Sequence, residues 1–165
     1  MCKPYEWRGD WRNIPELPMV LAAVNGARPG GSYAGASLFA STDNVEFSDV
    51  GRMGEGASIG FTASALPAIS GNSNDPNGVG SLDVVMHHGT LSTVSWLEML
   101  NGANRAWVGG EVIQFQRATQ TADGAYTLTG ILRARGGTED RASAHLLGED
   151  FILLDSAAYP LSPPS

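Results

Sequence analysis

The sequence is short of charge, of lysine and of cysteine, and each shortage removes a class of function. Charged side chains make up only 16% of the 165 residues, and Lys3 is the single lysine beside nine arginines. Ten basic residues against 17 acidic ones leave a formal net charge of −7, which repels a phosphate backbone over most of the surface. Apart from the stretch 133–141 the arginines stand singly, so no basic footprint for nucleic acid forms. Cys2 has no second cysteine to pair with, and no Cys/His spacing of the zinc type occurs. No apolar run is long enough to span a bilayer as a helix. No window of about a dozen residues combines 3.6-residue periodicity with freedom from glycine and proline, which excludes long helices. The opening residues, Met1-Cys2-Lys3-Pro4-Tyr5-Glu6-Trp7, do not lead into an apolar run, so no secretory leader is expected.

What the chain does have is punctuation: 21 glycines and 9 prolines among evenly spread apolar residues that make up 42%. A chain of 165 residues suits one domain able to bury roughly 70% of its unfolded surface. Turn signals recur at intervals of about eight to twelve residues, the spacing of a β-sandwich or partly closed barrel. The expected fold is therefore all-β, with about nine short antiparallel strands and at most one or two helical turns.

Residues 1–35 read as an extended N-terminal arm, broken by Pro4, Pro15, Pro18 and Pro29, with one short strand over 19–24. Residues 36–157 read as the β-sandwich domain, and 158–165 as a flexible tail. Within the domain, 37–41 and the alternating run 45–50 flank Thr42-Asp43-Asn44 as a hairpin. A third strand over 57–63 stops before Pro67, which cannot donate to a ladder. Further on, Asn101-Gly102 between apolar runs signals a hairpin, while 96–100 equally suits one helical turn. Asp123-Gly124 joins the strands 111–118 and 125–133 in the firmest hairpin of the chain. With Gly130 as a bulge, Tyr126, Leu128 and Leu132 are expected to share one face. One helical turn is expected over 142–147, before a closing strand at 151–155.

Several groups of residues suggest chemistry and also have plainer explanations. Gly56-Ala57-Ser58-Ile59-Gly60 matches a nucleophile-elbow pattern, but the strand-like alternation that follows lacks its strand–turn–helix setting, so Ser58 reads as a small outward-facing residue. His87-His88 would point to opposite faces of a strand and cannot chelate one ion without a bend. They read as a strand-end pair with one ring packed and one wet. The oxygen-rich loop with Asn72, Asn74, Asp75 and Asn77 departs from a calcium loop, since Pro76 takes a ligand position and Asp83 stands where a glutamate would close it. Arg8-Gly9-Asp10 spells an adhesion tripeptide, but Trp7 and Trp11 beside it read as anchors of the arm or, with Tyr5, as a platform for sugar rings. Glu98, Glu111 and the aspartates could meet in space as paired carboxylates for glycoside cleavage, but nothing in their spacing supports that over surface charge. In Arg133-Ala134-Arg135-Gly136-Gly137-Thr138-Glu139 the glycines make a tight corner, and Arg133 or Arg135 is expected to pair with Glu139, Asp140 or a partner's carboxylate.

Four segments taken in order carry a family resemblance: Leu100-Asn101-Gly102-Ala103-Asn104; Glu111-Val112-Ile113-Gln114-Phe115; the run 125–139 from Ala125-Tyr126-Thr127-Leu128 to Gly136-Gly137-Thr138-Glu139; and Phe151-Ile152-Leu153-Leu154-Asp155. Together they resemble the C-terminal region of the large tail-tip hub proteins of gene transfer agents and related long-tailed phages. Leu38-Phe39-Ala40-Ser41-Thr42-Asp43 extends the resemblance upstream, so that it covers residues 15–157. Proteins of that family are usually several-fold longer, with an enzyme-resembling barrel and hub domains upstream, so this chain reads as a separately encoded piece or as part of a larger hub. Ala134 stands where the family commonly carries Arg-Gly at its corner.

The resemblance implies a structural, non-enzymatic virion component, made in the bacterial cytoplasm and built into the host-facing tail tip. Its partners would be hub and distal-tail proteins in a homo- or hetero-oligomer, trimeric by analogy with hubs. No catalytic residue, metal or cofactor is carried over. The alternative is a module that binds host-surface glycan. Trp7, Trp11, Trp96 and Trp107 are the candidate stacking or interface residues, with Arg133 and Arg135 as candidate polar contacts.

Overall fold

Six strands close on themselves between residues 59 and 153. The computed structural model describes residues 20–24, 33, 35–41, 43–69, 71–76, 80–155 and 159–161. Its elements are β1 (Val20–Ala22), β2 (Ala36–Ala40), β3 (Ser48–Met53), β4 (Ile59–Thr62), β5 (Ser81–His88), α1 (Trp96–Leu100), β6 (Arg105–Val108), β7 (Glu111–Ala122), β8 (Ala125–Arg135), a 3-10 turn at Glu139–Arg141, β9 (Asp150–Leu153) and β10 (Tyr159–Leu161). The order β4-β5-β8-β7-β6-β9 forms a closed barrel in which every neighbouring pair is antiparallel. Of the two architectures open from the sequence, the chain adopts the barrel, and closure leaves none of these six strands with an unpaired edge.

Alternation explains the wall. In β5, Leu82, Val84 and Met86 are buried, while Asp83, Val85 and His87 are more exposed. Ile113 and Phe115 from β7, Tyr126 and Leu128 from β8, and Phe151 from β9 meet them in one core. At Gly130, where φ is +67°, the buried pattern shifts, so Ile131 joins that core rather than Leu132 as the alternation had suggested. Gly60 is required by close packing: a Cβ there would collide with the carbonyl of Val85 and approach Met86 Cα at 2.9 Å.

The β7–β8 hairpin turns at Asp123-Gly124 as expected. Asn101-Gly102 does not make a hairpin. Ser95 and Glu98 form a capping box, with the Glu98 N–H donating to Ser95 Oγ (3.2 Å) and the Ser95 N–H to Glu98 Oε2 (2.7 Å), which starts α1 and makes the competing helical reading correct. Asn101 then caps its C-terminus, and the tight hairpin is instead the two-residue Gly109-Gly110 turn between β6 and β7, with φ of +54° and +107°. The helical turn expected over 142–147 lies earlier, at Glu139–Arg141, and 142–149 is an irregular strap.

Outside the barrel, β2 and β3 pair with each other over a small core of Leu38 and Met53, with Val24 and Val50 packed against it. Asp43 Oδ1 accepts from the N–H groups of Val45 (2.8 Å) and Glu46 (3.0 Å), which draws the start of the expected second strand into the turn and delays β3 to Ser48. Strand β10 lies where a flexible tail was expected and pairs with β1, with Pro160 opposite Leu21. Pro160 is tolerated because a two-stranded ribbon consists of edge strands.

A buried charge cluster as the candidate functional site

A strand irregularity creates the site. Between β7 and β8 the register runs from Val112↔Arg135 to Gln114↔Leu132, so Arg133 and Ala134 together stand against Ile113. Such a bulge turns a side chain and releases a backbone group from the ladder. Ala134 takes φ of +54°, and its N–H donates to Glu111 Oε1 at 2.6 Å. Glu111 opens β7 two residues before the core residue Ile113, which places it on the same, inward face.

Arg133 and Glu111 meet at that end of the barrel, both essentially inaccessible to solvent. Arg133 Nε lies 2.8 Å from Glu111 Oε1, and Nη2 lies 2.6 Å from Oε2. Two of the three remaining guanidinium hydrogens reach the carbonyls of Pro67 (2.6 Å, from Nη1) and Ser143 (2.8 Å, from Nη2), tying the loop after β4 and the 142–149 strap to β8. His145 comes from the strap. Its backbone exchanges both hydrogen bonds with Leu66, and its ring spans two carboxylates, Nε2 to Glu111 Oε2 and Nδ1 to Glu149 Oε2, each 2.7 Å.

The electrostatics follow from these contacts. Burial pushes the Glu111 carboxyl up, but hydrogen bonds from His145, Arg133 and the Ala134 amide, with the Arg133 charge, outweigh it and hold the group below its ordinary value near 4.5. The Glu111 hydrogen bond raises His145 above its ordinary 6.5; burial opposes this, and Glu149 adds to the rise. With the His145 ring protonated, two cations face two carboxylates. Glu111 already accepts from Arg133, His145 and Ala134, and both nitrogens of His145 are occupied, so neither presents a free lone pair to a bound substrate. The arrangement fastens elements together.

The structure distributes the sequence candidates differently. Arg133 is interior and pairs with Glu111, not with Glu139 or Asp140; the latter is taken by Arg141 at 3.2 Å. This corrects the reading of Arg133 as an outward contact. Arg135 is half-buried and donates to Gln114 Oε1 (3.1 Å) and Asn74 Oδ1 (2.8 Å), which uses the 71–76 loop as a clasp on β8. Trp96 on α1 is 39% exposed, beside exposed Leu97 and Leu100, and Trp107 on β6 is half-buried. Trp7 and Trp11, with Arg8-Gly9-Asp10, lie outside the described residues. Ser58 does not face outward: it is buried just before β4, packed so tightly that a Cβ on Gly89 would overlap it. His87 is exposed beside the Phe61 ring, with centroids 5.2 Å apart, while His88 is half-buried with Nδ1 3.3 Å from the Ala57 carbonyl. Glu98 is spent on the helix cap and does not pair with Glu111. The carboxylate that Glu111 does approach, through His145, is Glu149, and neither His145 nor Glu149 was singled out by pattern. Their four-residue separation was the only signal.

A family model described as Rcc01698-like, C-terminal, matches residues 57–152. The chain belongs to this family. The match coincides with the barrel from the approach to β4 through most of β9, and includes all four members of the charge cluster. Among curated proteins none matches the chain. Among the described residues no cluster of metal-ligating side chains occurs, and no helix is long and apolar enough to cross a membrane.

Proposed function

We propose that this protein is a structural component of a phage or phage-like tail tip, in its baseplate hub region, assembling with other tail proteins at the host-facing end. The observation that supports this reading is where the residues of the resemblance go. Glu111, Arg133 and Thr138, all buried, are spent on one another and on the backbone: Arg133 on Glu111, and Thr138 Oγ1 between the Arg135 carbonyl (2.9 Å) and the Val112 N–H (3.0 Å). A signature spent on holding a barrel closed suits a building block. On this reading the protein is not an enzyme, is incorporated into the virion, and belongs to an oligomer, trimeric as in related hubs.

A second reading, recognition of host-surface glycan, draws on one observation, the exposed indole of Trp96. Epitope-tagged protein traced by electron microscopy of purified particles tests the first reading: label at the distal tail tip is expected, and its absence from particles would overturn it. Ser58→Ala and His88→Ala should leave DNA transfer intact. Deletion of residues 1–18 is expected to reduce incorporation. Trp96→Ala particles that assemble normally but no longer adsorb to cells would favour the glycan reading.

A further inference from the structure

The strap 142–149 ends in a turn that displays Leu146 and Leu147, 69% and 68% exposed, yet it is held firmly. Its backbone is anchored to β4 through Thr62: Oγ1 donates to the Leu146 carbonyl (2.8 Å) and accepts the Glu149 N–H (2.9 Å), and the Gly148 N–H reaches the Thr62 carbonyl (2.8 Å). The Leu146 N–H is held by the Glu149 side chain, whose Oε1 accepts it at 2.9 Å while Oε2 meets His145.

The weak point in this arrangement is the imidazole. Both ring nitrogens face carboxylate oxygens at 2.7 Å, and a carboxylate only accepts, so both contacts are hydrogen bonds only while both nitrogens carry hydrogen. A neutral imidazole has one N–H, and its bare nitrogen would then oppose a carboxylate lone pair. The two sides are unequal. Glu111 is fully buried and fixed by Arg133 and the Ala134 amide, whereas Glu149 is 26% exposed and can turn to water. The charged groups facing the ring are Glu111 from β7, with Arg133 of β8 behind it, and Glu149 from the strap; the Gly109 turn on the remaining side adds none.

We propose that the 146–149 turn is a proton-gated element, locked while His145 carries both ring protons and loosened when Nδ1 gives its proton to solvent. Loss of that proton leaves the Nε2–H on Glu111, frees the Glu149 carboxylate to hydrate, and releases the Leu146 N–H. The turn then loosens at its Leu146 N–H, while the Thr62 bonds to Leu146, Gly148 and Glu149 keep the strap on an intact barrel. The hydrogen bond to Glu111 raises the proton affinity of His145 above its ordinary value, so release comes at a higher pH than for a free imidazole.

The test is NMR of the full chain titrated from mildly acidic to alkaline pH, following the His145 ring nitrogens and the amides of Leu146, Gly148 and Glu149. The expected result is one shared midpoint, with Nδ1 as the nitrogen that loses its proton. In Glu149→Gln the carboxamide can accept from an N–H or donate to a bare nitrogen, so the turn amides should no longer follow the ring while core amides stay unchanged. Turn amides that ignore the ring in the native sequence, loss of the proton from Nε2, or a Glu149→Gln turn that still follows the ring would each overturn the proposal.

Discussion

Arg133 grips Glu111 side-on inside the barrel end, with Nε and Nη2 2.8 and 2.6 Å from the two carboxylate oxygens, and the next residue adds its backbone N–H to the same carboxylate. A buried pair gains little net stability, because the desolvation of both charges offsets most of their attraction. Removing one partner is a different matter. Arg133→Ala leaves Glu111 charged in the core and orphans the carbonyls of Pro67 and Ser143, so a loss of ~3–5 kcal/mol is expected. Arg133→Lys should recover only part of it, since an ammonium cannot present the planar fork. Urea unfolding of the three proteins measures both; a fully stable Arg133→Lys would show that charge alone suffices.

The same cluster sets the pH dependence of stability. Glu111 is held below its ordinary 4.5 in the folded protein, so its contribution is complete above that pH and is lost as pH falls through the lowered value. His145 is raised above its ordinary 6.5, so its contribution is complete below that pH and is lost as pH rises through the raised value. Between the two ordinary values the cluster contributes most. Thermal unfolding across pH should show this plateau, and His145→Gln should remove its alkaline shoulder while keeping the acid limb.

Helix α1 depends on its cap. A five-residue helix has almost no intrinsic stability, and its buried residue is Met99 alone. Ser95→Ala removes the acceptor for the Glu98 N–H and should cost ~1 kcal/mol. Gln114, which donates to the carbonyls of Met99 (2.7 Å) and Ala103 (3.1 Å), holds the other end, so Gln114→Leu should cost at least as much. Chemical denaturation gives both values, and a neutral Ser95→Ala would show that packing of Met99 holds the helix without its cap.

These elements also show what was legible beforehand. The Asp123-Gly124 hairpin and the β5 alternation could be read directly, because turn chemistry and period-two burial act between near neighbours. Closure of the barrel could not, since β4 meets β9 across almost the whole domain. The partner of Arg133 was hidden for the same reason: carboxylates six and seven residues downstream, Glu139 and Asp140, attract the eye, while the true partner lies 22 residues away across the hairpin. The bulge that turns Arg133 inward depends on Ala134 adopting a left-handed backbone, which alanine does not advertise. The capping box Ser95-x-x-Glu98, by contrast, was present in plain letters and outweighed the Asn101-Gly102 step.

Gly109 offers a way to probe the outer half of the cluster without touching its charges. Its φ of +54° already disfavours a side chain, and a Cβ there would fall onto the Glu149 carboxylate and within 2.8 Å of His145 Nδ1. Gly109→Ala therefore combines a backbone cost of ~1–2 kcal/mol with expulsion of Glu149 from its bond to His145. The Glu149 part separates in a double-mutant cycle with Glu149→Ala, in which the carboxylate is already gone and only the backbone cost and the contact with His145 Nδ1 remain. Gly109→Ala is expected to destabilise the protein less in the Glu149→Ala background than alone. Equal costs in both backgrounds would mean that Glu149 moves aside freely and that its contact with His145 adds nothing to the stability of the folded chain.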